Sequence, residues 1–152
     1  MAYGEILDLL RALDRAHTRV GRHASALLLH TEGLGEGREL IPDLRNRVHE
    51  GGACELTSLH RFLQVVTPDY AVTNEIDLTV SVRVAEDGCA VRVGVDVHLD
   101  EPAGDLPEGR SVLWERGSGT LPLDEALRFL DAAVGELVAL ENPFGPLDRG
   151  RP

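Results

Sequence analysis

The sequence predicts an α+β domain with N-terminal helices, a three-stranded antiparallel meander and a C-terminal helix packed on one sheet face. Three observations carry this. Residues 3 to 29 repeat apolar positions at steps of three and four. The stretch TNEIDLTVSVRVAEDGCAVRVGVDVHLD, residues 73 to 100, alternates strictly. Residues 122 to 141 return to helical spacing after a proline.

The first helix places Tyr3, Ile6, Leu10, Leu13, His17, Val20, Ala24 and Leu27 on a heptad seam, widened by Leu7, Ala16 and Leu28. Gly21 marks an expected kink or break. Glu32 to Gly37, EGLGEG, is a loop; its glutamates and the lack of a following Gly-Lys-Ser/Thr argue against a phosphate cradle. Ile41 to His49 fits a short helix with Pro42 in its first turn. Leu56, Leu59, Phe62, Leu63 and Val66 fit another helix, ended before Pro68. Leu27-Leu28-Leu29 is an alternative candidate for an added strand.

In the alternating stretch, Asp87-Gly88 reads as a two-residue hairpin turn. That turn sets Val84 opposite Val91, Val82 opposite Val93, Val80 opposite Val95 and Leu78 opposite Val97. On the polar face it sets Arg83 opposite Arg92, Thr79 opposite Asp96 and Asp77 opposite His98. A long acidic loop follows, then a third strand over Arg110 to Arg116, with Trp114 and Leu113 pointing to opposite faces. The closing helix carries Leu123, Leu127, Leu130, Val134 and Leu137 on one stripe, and Asp124 and Glu125 in its first turn suit the helix dipole. Residues 1–141 form a single domain, and 142–152, rich in Pro and Gly, an extended tail.

Composition narrows the function. The chain has 152 residues, 43% of them hydrophobic and only 4% aromatic, enough for a core of Leu, Val and Ala without metal or disulfide. Its net charge is −11, with 26 acids against 15 bases. Every base is arginine, which suggests a high-GC bacterial coding sequence and excludes any catalytic or phosphate-loop lysine. The acidic balance argues against nucleic acid, which requires a basic footprint, and against anionic membranes. The start lacks a basic, then apolar, leader pattern, and a cytoplasmic protein is expected. Cys54 and Cys89 are expected as free thiols and match no zinc spacing. The six histidines lack close ligand partners, so no metal and no cofactor are expected. Ser118, in GSG, lacks the Gly-x-Ser-x-Gly frame of a nucleophile elbow and is accounted for by turning and capping.

Two functional readings follow, and whether the chain is an enzyme stays open. The first is a non-enzymatic acidic interaction module: an adaptor, a chaperone-like accessory or a neutralising partner. It would engage a protein partner, preferably cationic, through the long helix or a sheet edge. The heptad seam suits a homodimer equally. The second is a small-ligand binder or enzyme that holds an anion or carboxylate with Arg83, Arg92, Asp96 and His98 on the polar sheet face, with His98 as the candidate base. In that reading Gly94 leaves room for the ligand.

Overall fold

A computed structural model describes residues 2–30, 39–65 and 73–144. The element order is α1 (Tyr3–His30), β1 (Glu39–Val48), β2 (Cys54–Val65), β3 (Thr73–Ala85), β4 (Gly88–Leu99), β5 (Gly109–Gly117) and α2 (Leu123–Val138). The strands form one five-stranded antiparallel sheet in the order β1-β2-β3-β4-β5. The α+β architecture and its two bounding helices match the expectation, but three strands become five. The two short helices expected at Ile41–His49 and Leu56–Val66 are β1 and β2 instead, with Val66 and Pro68 outside the described residues. EGLGEG likewise lies outside them.

The reason lies in which residues each strand turns inward. β2 directs Leu56, Ser58, His60 and Phe62 towards the helices, opposite Val82, Val80, Leu78 and Ile76 of β3. Two polar residues in that inward set break the alternation that marks a strand. Leu59, on the other face, is also buried, so the apolar positions mimic helical spacing. In β1, Ile41, Leu44 and Val48 do the same, although they divide between the two faces. Pro42 fits an edge strand, where its nitrogen faces away from the ladder.

α1 lies across β1, β2 and β3, and α2 packs beside it over β4. The core joins Leu9, Leu13, Ala16, Val20 and Ala24 of α1, the inward residues of β3 and β4, and Ala126, Leu130, Val134 and Leu137 of α2. Leu27 to Leu29 belong to α1, which is continuous through Gly21. At Gly21 an added Cβ would lie 2.8 Å from His60 Nε2, so the glycine serves a close approach of helix to sheet rather than a kink. Phe144 is buried edge-on against Phe62, 5.1 Å between ring centroids, so the start of the tail covers the core beside β2. Both cysteines are free; Cys54 and Cys89 sit in one row two strands apart, about 10 Å, beyond disulfide reach.

The β3–β4 register departs from the expected one by two residues. Ala85 pairs with Gly88 and the turn is Glu86-Asp87, so Val84 faces Cys89, Val82 faces Val91, Val80 faces Val93 and Leu78 faces Val95. A two-residue slip keeps every side chain on its face and changes only its partner. Gly88, with φ 140°, is used for a different contact: a Cβ there would lie 2.5 Å from the Leu121 carbonyl, which hydrogen-bonds the Cys89 amide at 2.8 Å. Ser118 closes the same corner, its Oγ accepting from the Val91 amide at 2.9 Å.

Candidate functional site

One sheet face carries both helices; the other is open and polar. Read along the pairing register, its rows are Arg47, Glu55, Arg83; then Arg45, Thr57, Ser81, Arg92; then Asp43, Leu59, Thr79, Gly94, Glu115; then Ile41, Arg61, Asp77, Asp96, Val112. A concavity of about 540 Å³ runs over this face, lined by residues that include Arg45, Arg47, Thr57, Arg61, Asp77 and Arg92.

The four residues expected to form a ligand site all lie on this face: Arg92 and Asp96 pair directly, Arg83 is a diagonal neighbour of Arg92, and His98 stands apart. Arg83 faces Ala90 and lies diagonally from Arg92, which faces Ser81. Asp96 faces Asp77, and His98 faces Glu75. His98 is exposed, six residues along β4 from Arg92 and so about 20 Å away. It cannot act as a base for a group held by Arg83 and Arg92.

The opposed carboxylates Asp77 and Asp96 are each neutralised by a two-pronged arginine. Arg61 donates to Asp77 at 2.8 and 3.0 Å. Arg92 donates to Asp96 at 2.9 and 2.7 Å and to Glu115 at 3.0 Å. Hydrogen bonding to Asp96, then to Glu115, holds Arg92 charged well above the ordinary arginine range. The space above Gly94 is therefore filled by the protein itself: a Cβ there would sit 2.8 Å from the Arg92 guanidinium, which crosses the glycine to reach Asp96. Arg45 donates to Asp43 at 2.7 Å and lowers its pKa. Arg47, Arg83 and Arg110 have no ion pair among the described residues.

Beneath α1 lies a second polar cluster that sequence reasoning missed, because it depends on β2 being a strand. His17 Nδ1 and Ser58 Oγ are 2.7 Å apart. The His17 and His60 rings lie 4.5 Å apart. His60 is only 3% exposed, and burial, then the nearby His17, push its pKa down to about 4. Its Nδ1 has no hydrogen-bond partner. Ser58 is 1% exposed beneath the helix, where its hydroxyl is held by His17.

The third feature is apolar and exposed. Of seven exposed large hydrophobic residues among those described, six lie on α1 and β1: Tyr3, Ile6, Leu10, Ile41, Leu44 and Val48. Tyr3 is 76%, Leu10 47%, Leu44 62% and Val48 74% exposed. Leu10 and Leu44 meet across a groove of about 190 Å³ floored by Leu13, Leu56 and Ser58. Tyr3, Ile6 and Leu10 belong to the heptad seam; the buried stripe is rotated onto Leu9, Ala12, Leu13 and Ala16, which leaves the start of the seam in solvent. No described helix is long and apolar enough to cross a membrane. No protein-family model, no curated protein and no solved structure matches this chain.

Proposed function

We propose that the chain is a non-enzymatic interaction module that docks a protein segment against α1 and β1. The observation that carries this reading is that two exposed leucines, Leu10 of α1 and Leu44 of β1, line one apolar groove over Leu13 and Leu56. Scattered single apolar residues are ordinary on a surface; a contiguous set beside a groove is the footprint of a contact. The partner supplies apolar side chains at helical spacing, as in helix-in-groove recognition. Addition of a strand to β1 is disfavoured by Pro42 and by the charges of Asp43, Arg45 and Arg47 on that edge. The net charge of −11 favours encounter with a cationic segment, while affinity rests on apolar burial.

The test uses a labelled helical peptide with leucines at i, i+3, i+4 and i+7 and arginines on its other face. We expect saturable binding that weakens as salt rises. Leu10→Asp and Leu44→Asp each weaken it by about tenfold or more, the worth of one buried side chain. Val112→Asp, on the far edge strand, leaves it unchanged. Equal loss in all three variants, or binding unaffected by Leu10→Asp and Leu44→Asp, overturns the reading. Size-exclusion chromatography of the same variants separates docking of a partner from docking of a second copy.

A further inference from the structure

We propose that the hairpin end of the open sheet face is a binding site for a phosphate group, built from Arg45, Arg47, Arg83 and Arg92 around the hydroxyls of Thr57 and Ser81. This site lies on the face opposite the helices, and Arg45 and Thr57 border both it and the groove beside Leu10 and Leu44.

The register makes the case. Two adjacent rows, Arg47-Glu55-Arg83 and Arg45-Thr57-Ser81-Arg92, bring four arginines together with a single glutamate, in a chain whose net charge is −11. Like charges this close on one sheet face destabilise unless something neutralises them. The available acids do so unevenly. Asp43 draws Arg45, and Asp96 with Glu115 draws Arg92, all from the next rows. Glu55 lies between Arg47 and Arg83, yet its one ion pair among the described residues is with His49 at 3.8 Å. Arg47 and Arg83 thus keep all their donors free among those residues.

The floor between them is polar and hollow. Thr57 and Ser81 face one another across β2 and β3, half-buried, and neither hydroxyl bonds to another described residue. Both line the 540 Å³ concavity, as do Arg45, Arg47 and Arg92. Arg47 and Arg83 flank that floor from strands about 10 Å apart. Arg47 lines the concavity itself, and Arg83 stands at its border, two residues along β3 from Ser81. A phosphate has several acceptor oxygens in a tetrahedron, which suits guanidinium donors from the sides and hydroxyl donors from below.

Isothermal titration and amide chemical-shift mapping test the site with inorganic phosphate and with O-phosphoserine, each against sodium chloride at matched ionic strength. Saturable binding is expected, with shifts centred on Thr57 and Ser81. The Arg47→Gln/Arg83→Gln variant should weaken it at least roughly tenfold, since charge-assisted hydrogen bonds are the strong ones. Both residues are exposed, so the variant should fold. Arg128→Gln, which removes an exposed arginine from α2 on the other side of the sheet, should change nothing. Tighter binding of O-phosphoserine than of phosphate assigns the site to a phosphorylated segment; equal or weaker binding assigns it to the free ion. A response that sodium chloride reproduces, or that survives the double substitution, overturns the proposal.

Discussion

Two glycines show how differently one missing Cβ can matter. At Gly94 the atom that a new methyl would meet is the tip of Arg92, a long side chain on the open face, which can swing away. At Gly21 it is the ring of His60, buried and stacked on His17. Gly21→Ala would gain up to about 1 kcal/mol of helix propensity. It would lose about 1–3 kcal/mol by forcing α1 off the sheet. We expect a net loss, read as a lower urea midpoint; an unchanged or higher midpoint would show that His60 yields. His60 also sets a pH dependence. Its pKa falls from an ordinary 6.5 to about 4 on folding. Between those values the unfolded chain takes up a proton that the folded chain refuses, so stability declines as pH falls through that window. The loss is on the order of 2 kcal/mol by pH 4, allowing for water entering from the groove beside His17 and Arg22. Urea midpoints at pH 7 and pH 5 should differ, and His60→Gln should shrink the difference. A difference of undiminished size in that variant would place the effect elsewhere.

At the level of elements, legibility followed the purity of each face. β3 and β4 were plain because the inward positions from Ile76 to Val82 and from Cys89 to Leu99 are all apolar and buried. α1 and α2 were plain because helical periodicity persists over several turns. β2 was not, because Ser58 and His60 occupy inward positions and are satisfied or shielded only by residues of α1. No rule of spacing reveals that His17 will meet Ser58 across 41 residues of chain. The polar face of the sheet was legible as a face, yet its pairings hung on one turn; placing the turn at Glu86-Asp87 made Arg83 and Arg92 diagonal neighbours. Arg45, Arg47, Thr57 and Ser81 could join them only once β1 and β2 were strands. A usable clue was the i, i+2 run Asp43, Arg45, Arg47, which is strand-like on the charged side. β1 also carries its own protection as an edge. Replacing Pro42 by Thr restores a backbone donor where the strand meets solvent. Concentration-dependent association of Pro42→Thr, followed by light scattering, is the expected outcome; a strictly monomeric variant would show that the charged residues suffice.

Across the whole molecule, every strand pairs with its immediate neighbour in sequence. Such a sheet grows one hairpin at a time, and no strand must wait for a distant segment to arrive. Local pairings of this kind close short loops, which lowers the entropy cost of reaching the folding transition state. The contact between α1 and α2 is the opposite case, because Arg19 meets Asp131 from the far end of the chain. Once the meander has formed, the separation between the two helices is set by the width of the sheet rather than by a free loop of the 92 residues between His30 and Leu123. The order of the strands is therefore a property of assembly as well as of shape: from any one hairpin, such as the valine-rich pair β3 and β4, each further strand can be added by closing a single short loop.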